Sequence, residues 1–218
     1  MSKTRESITG FVGPMFAKKT LLMLDEVTGA EAVGRYAVVF KPDIDNRYGK
    51  NIVRSRAGGR HRAIPIPVDD PDAIYGILSR RRLPTDLVAF DEIQFNDPKV
   101  VGVVLDIAQS GIPVVYCGLI RDYRGNAFST MEKLLPLTTK LVTAEAKCMF
   151  PLNGTKKLCG ADAVMTQRLF RGQPDSYNSP TVVIEEKKGT PDYTYQARCL
   201  EHWQVADLPQ HHQINFHR

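Results

Sequence analysis

Residues Gly13-Pro14-Met15-Phe16-Ala17-Lys18-Lys19-Thr20 differ at one position from the phosphate-binding loop Gly, four residues, Gly-Lys-Ser/Thr. Lys18 stands where the second glycine belongs. This loop constrains the fold because it works only between a strand that delivers it and a helix that starts behind it. Ile8–Val12 reads as that strand, and residues 20–32 read as that helix. Backbone N–H groups of such a loop converge at the positive end of the helix dipole, and glycine lets the backbone approach a phosphate closely. Lys19 is placed to reach outer phosphates, and Thr20 to offer its hydroxyl to Mg²⁺. Lys18 adds a Cβ and a charge. It either points outward and leaves the cradle intact, or distorts it.

The chain beyond alternates strand and helix. Residues 35–40 form a β-branched and aromatic run ended by Lys41-Pro42. Residues 43–62 are polar and glycine-punctuated and read as a loop, and residues 63–68 as a short extended piece. A helix is expected over 71–81, capped by Asp69 or Asp70, with Arg80-Arg81-Arg82 at its end. Residues 86–90 make a buried-type strand that delivers Asp91-Glu92. A helix over 98–109 closes at Gly111, and a strand follows over 112–117. A Gly/Arg loop runs over 118–128, then a short helix near 131–135 and a strand at 140–143. This alternation predicts an α/β fold of P-loop NTPase type, a mainly parallel sheet flanked by helices. Ligands bind at the carboxyl ends of such strands, where the P-loop, Asp91-Glu92 and the Gly118 loop would converge. Asp91 sits where a carboxylate helps hold Mg²⁺, and Glu92 where a base would reach an acceptor hydroxyl. The plain alternative is a solvated acidic turn.

From residue 144 the texture changes to Cys, Gly and Pro, so two units are expected, 1–143 and 144–218. No apolar run approaches the ~20 residues of a membrane span, and the first residues lack a signal peptide's apolar stretch. A cytoplasmic protein is the default, where disulfides between Cys117, Cys148, Cys159 and Cys199 are not expected. The net charge of +5 suits an anionic ligand. The basic runs at 54–62 and 80–82 lack the interleaved aromatics of a base-stacking platform, so no nucleic-acid partner is expected. Cys199 and His202 make a C-x₂-H pair, and Cys148 and Cys159 stand ten residues apart. Three thiolates and one imidazole suit a tetrahedral, structural Zn²⁺ that ties together apolar-poor loops. The alternative is three unrelated buried thiols. The terminal Gln210-His211-His212 reads as a frayed end.

Five segments in order resemble the zinc-containing thymidine kinases. These are the P-loop, Asp91-Glu92-Ile93-Gln94-Phe95, Tyr123-Arg124-Gly125-Asn126-Ala127-Phe128, Cys159-Gly160-Ala161 with Thr166-Gln167-Arg168-Leu169, and Tyr195-Gln196-Ala197-Arg198-Cys199 with His202. The resemblance implies ATP-dependent phosphorylation of the thymidine 5′-hydroxyl, in deoxynucleoside salvage. It places ATP and Mg²⁺ at Gly13, Pro14, Met15, Phe16, Ala17, Lys18, Lys19, Thr20, Asp45, Arg47, Asp91 and Gln94, with Glu92 as the base. The nucleoside would meet Met15, Phe95, Leu119, Tyr123 and Phe128, with Tyr195 closing over it. Val183 and Ile184 would offer backbone groups to the thymine edge, inside a hydrophobic segment that also reads as a strand. Structural zinc would sit on Cys148, Cys159, Cys199 and His202 beneath a nucleoside-covering loop, and a homo-oligomer, a tetramer, is implied. The chain departs from the pattern at Lys18, at Ile120 in place of an aspartate, and at Pro151 in place of a cysteine. Residues 152–158 look inserted, and the segment before Tyr195 is several residues long. A weakly active relative with an impaired P-loop is the competing expectation.

Overall fold

Alternate residues of the central strands face opposite sides, and both sides are apolar, as a sheet covered by helices on each face requires. The computed structural model describes residues 7–46, 48–152, 157–183 and 192–209. In chain order its elements are β1 (Ile8–Val12), α1 (Lys19–Ala32), β2 (Ala37–Pro42), β3 (Ile52–Arg54), β4 (Arg60–Arg62), β5 (Ile64–Ile66), α2 (Ala73–Ser79), β6 (Leu87–Phe90), α3 (Val100–Gln109), β7 (Val114–Gly118), α4 (Ser129–Leu134), β8 (Lys140–Thr143), β9 (Met165–Phe170), β10 (Gln173–Pro174) and β11 (Tyr193–Arg198). Six strands form one sheet in the order β5-β2-β6-β7-β1-β8, and every pairing in it is parallel.

Val38, Phe40, Val88, Phe90, Val114 and Tyr116 face one side and pack with Val100, Val104 and Ile107 of α3 and Met131 and Leu134 of α4. Phe11, Val39, Ala89, Val115 and Cys117 face the other and pack with Met23, Leu24 and Val27 of α1. Each such large side chain contributes about 1.5–3 kcal/mol by leaving water. Gly10 is required inside β1: a Cβ there would come 2.4 Å from the Tyr116 ring.

The carboxyl ends of β1, β2, β6, β7 and β8 share one edge of this sheet, as the parallel pairing dictates. The P-loop, Asp91 and the loop after Gly118 therefore meet there, as the strand–helix alternation predicts. A separate antiparallel sheet, β10-β9-β11, lies in the part after residue 144. Among the described residues no helix is long and apolar enough to cross a membrane.

Some expected boundaries shift. The polar stretch 43–62 is not all loop, because β3 and β4 pair as an antiparallel hairpin closed at Ser55 and Gly59. Glycines at Gly58 and Gly59 adopt the positive φ that such a tight return needs. The helix expected over 71–81 is shorter. Its N-cap is Asp72, not Asp69 or Asp70, and no side chain caps it. Ala73 and Ile74 donate to the carbonyls three residues back, so the first turn winds too tightly to be α-helical. The strand expected over 35–40 lies two residues later, as β2. Val182 and Val183 adopt no strand. Arg47 and Ile184 lie outside the described residues, as does the tail 210–218.

Candidate active site and metal centre

The loop 13–20 leads from β1 straight into α1 despite Lys18. Lys18 takes the left-handed conformation (φ 59°) that glycine would supply, caps α1 with its backbone and turns an exposed side chain outward. The lysine therefore points away instead of distorting the loop, at a cost of about 1–2 kcal/mol in backbone strain. Gly13 fits a true glycine position, since a Cβ would meet the Ala144 carbonyl at 2.6 Å. Phe16 also has positive φ. Lys19 is buried, and its ammonium donates to the Pro14 carbonyl at 2.7 Å. Ala17 packs against Ala144 and Ala146, and the Met15 N–H donates to Thr166 Oγ1 at 3.1 Å, tying the loop to β9.

Thr20 begins α1 and Asp91 ends β6, and the two meet: the Thr20 hydroxyl donates to Asp91 Oδ1 at 3.0 Å. Asp91 is buried, with only 4% exposed. The Cys117 thiol donates to the same oxygen at 2.8 Å. Burial pushes the Cys117 thiol well up, and the Asp91 and Glu92 carboxylates add to that, so it stays a donor. Thr20 and Asp91 present hard oxygen ligands side by side, the donor type Mg²⁺ prefers.

Glu92 is half-buried and holds a left-handed backbone (φ 50°), an unusual conformation for a non-glycine residue. Gln94 Nε2 donates to Glu92 Oε2 at 2.7 Å, and its Oε1 accepts the Leu119 N–H at 3.1 Å. Gln94, expected among nucleotide contacts, thus links the Glu92 carboxylate to the loop after β7. Gly118 leaves room for it, since a Cβ there would lie 2.5 Å from Gln94 Oε1. Asp45 lies 3.8 Å from the ammonium of Lys41, a buried lysine at the end of β2 that also donates to the Gly49 and Ile52 carbonyls.

The expected base pocket is brought together in part. Phe95 and Phe128 meet edge to face, centroids 5.9 Å apart. Met15, Leu119 and Phe128 are half-buried. Tyr123 is buried, and its hydroxyl donates to the Ser176 carbonyl at 2.7 Å and the Ser179 carbonyl at 3.1 Å. The Arg168 guanidinium covers one face of that ring at 3.6 Å. Arg168 is wholly buried and paired with Asp175 at 2.6 Å, and Arg124 donates to the Tyr177 carbonyl and to Thr181 Oγ1. The segment 175–181 is thereby fastened to the 122–126 turn. Tyr195 lies opposite Arg168 on β11. Ile120 packs against the core beside α3 and α4.

Cys117, Gln94 as a tether, Arg168, Asp175 and Thr166 were not assigned these roles from sequence. Arg168 carried one signal, a lone charge inside an otherwise strand-like run. Cys117 sits on the α1-facing side of its strand and looks like any core residue.

Cys148, Cys159, Cys199 and His202 do converge: their ligand atoms all lie within 4.8 Å of one another. His202 Nδ1 is 3.3 Å from Cys199 Sγ and 3.8 Å from Cys148 Sγ. Tetrahedral zinc with ordinary bond lengths places its ligands roughly 3.5–3.8 Å apart, so the donors fit the ion. Residues 152–158 do not break the site. Pro151 bridges Leu158 and the Leu152 N–H donates to the Lys157 carbonyl, so the chain on the two sides of residues 153–156 is held together. The Cys159 N–H then reaches the Phe150 carbonyl, and Gly160, at positive φ, reaches the Cys148 carbonyl. Burial pushes the Cys148 thiol up. Backbone hydrogen bonds at Cys199 and Phe150, and the His202 ring, outweigh it and hold the group at about 7. Burial raises Cys199.

The family model described as "Thymidine kinase" matches residues 6–203. A protein named "Thymidine kinase" from Mycoplasmoides gallisepticum (strain R(low / passage 15 / clone 2)) is 32% identical over 219 residues, covering 100% of this chain and 90% of the relative.

Proposed function

The chain belongs to the thymidine kinase family, and we propose that it transfers the γ-phosphoryl group of ATP to the 5′-hydroxyl of thymidine. The reading rests on one observation above all. Thr20, Asp91 and the Gln94-tethered Glu92 meet at the carboxyl edge of a parallel sheet, beside a phosphate-type loop. The loop amides at the start of α1 and Lys19 bind the triphosphate. Thr20 and Asp91 hold Mg²⁺, which when bound neutralises charge on the phosphate oxygens. Glu92 accepts the proton from the 5′-hydroxyl as its oxygen attacks the γ-phosphorus in line, and ADP leaves. Most of the rate gain comes from positioning and charge stabilisation.

Met15, Phe95, Leu119, Tyr123 and Phe128 enclose the base and Tyr195 closes over it, while Val183 and Ile184 belong to the segment assigned to the thymine edge. Asp45 and Arg47 act from the loop after β2. Zinc on Cys148, Cys159, Cys199 and His202 is structural and joins residues 144–152 to the end of β11. The reading includes a cytoplasmic salvage enzyme that assembles as a homo-oligomer, a tetramer by analogy with the family. The outward course of Lys18 favours an active loop over an impaired one.

The test is product analysis with labelled ATP and Mg²⁺, offering thymidine and deoxycytidine separately. Thymidine 5′-monophosphate should form, with thymidine preferred. Transfer to neither nucleoside sinks the reading, and a preference for deoxycytidine sinks its base assignment.

A further inference from the structure

Arg198 ends β11, one residue before the metal-ligating Cys199. It is 5% exposed. Its Nη2 donates to Gln196 Oε1, but its Nε is buried with no hydrogen-bond partner. Two other buried cations face carboxylates, Arg168 on Asp175 and Lys41 on Asp45. Among the described residues Arg198 forms no ion pair with a carboxylate. It adjoins Cys199, whose thiol lies within 4.8 Å of those of Cys148 and Cys159.

A guanidinium does not discharge to escape burial, and an uncompensated buried charge is costly. Its compensation must come from nearby. Three thiolates, one neutral imidazole and a divalent ion together carry a single net negative charge. Arg198 also touches this centre through a stack: its guanidinium lies 4.7 Å over the Phe150 ring, and Phe150 lies flat on the His202 ring at 4.2 Å and 6°.

We propose that Arg198 is the counter-charge of the Cys148–Cys159–Cys199–His202 centre, so that metal loading and the buried arginine stabilise each other. The inference rests on the zinc assignment above. Without the loaded anion the arginine is buried unpaired; without the arginine the anion is. The two therefore share a coupling free energy, and the side chain acts on the metal from outside its ligand shell.

The experiment is zinc transfer from the full chain to a chromophoric chelator at fixed pH. It compares the natural chain with Arg198→Met, Arg198→Gln and Arg198→Lys. Arg198→Met should weaken zinc retention about 10–100-fold, the scale of outer-shell losses. Arg198→Gln keeps a donor for Gln196 and should lose zinc to a similar degree, and it decides the matter where the methionine chain does not fold. Arg198→Lys keeps the charge and should stay within about threefold of the natural chain. Neutral variants that hold zinc as the natural chain does overturn the proposal. So does a lysine variant as weak as the neutral ones, since packing and not charge would then be the cause. A natural chain that carries no stoichiometric zinc removes the metal assignment itself, which is a separate failure.

Discussion

Gln94 Nε2 donates to Glu92 Oε2 at 2.7 Å, and the same side chain takes the Leu119 N–H through Oε1. One amide thus fixes the distance between the carboxylate and the loop expected to hold the nucleoside. Glu92 is already set in a left-handed backbone at the end of β6, so side-chain rotation is its main remaining freedom.

Gln94→Ala removes that tether and leaves Glu92 in place. Small misplacements of a reacting group cost up to about a hundredfold in rate. The expected result is a fall in kcat of about 10–100-fold with the KM for ATP within about twofold. Steady-state kinetics with thymidine and ATP varied in turn check it. A KM effect without a kcat effect would mean Gln94 contacts the nucleotide directly.

Lys18 occupies a glycine conformation. Relief of about 1–2 kcal/mol of left-handed strain exceeds the extra chain entropy that glycine brings to the unfolded state. Lys18→Gly should therefore raise the melting temperature by about 1–3 °C, and Lys18→Ala should not. Thermal unfolding of both variants beside the natural chain decides it. A loss of stability in the glycine variant would show that the lysine side chain itself supports the loop.

Asp175 is buried and receives Arg168 Nε, the Ser176 N–H and the Ser179 hydroxyl. Removing it strands a wholly buried guanidinium. Asp175→Ala should cost about 3–5 kcal/mol, seen as a lowered denaturant midpoint. The carbonyls of Ser176 and Ser179 hold the Tyr123 hydroxyl. The KM for thymidine should therefore rise more than that for ATP. An equal effect on both substrates would detach this ion pair from the nucleoside side of the site.

The main sheet and its functional edge were legible because their signals are local. Strands of alternating residues, both faces apolar, announce a buried parallel sheet, and the P-loop fixes which edge carries function. The Cys148–Cys159 spacing was ambiguous by itself, since a sequence does not say that Pro151 and Leu158 would pair and bring the chain back. Hydrogen bonds across long separations were invisible for the same reason. Cys117 on Asp91 and Arg168 beneath Tyr123 depend on which strands become neighbours. The β3–β4 hairpin was missed because its few residues are mostly polar and charged, so no apolar period marks it.

The most direct test of the account is single-turnover phosphoryl transfer to thymidine by Glu92→Gln, with ATP binding measured on the same protein. General-base catalysis contributes about 10²–10⁴-fold. The account predicts a rate loss in that range with ATP affinity within about twofold of the natural chain. A rate within a few-fold of the natural chain would contradict it, because the proton would then leave the 5′-hydroxyl without this carboxylate.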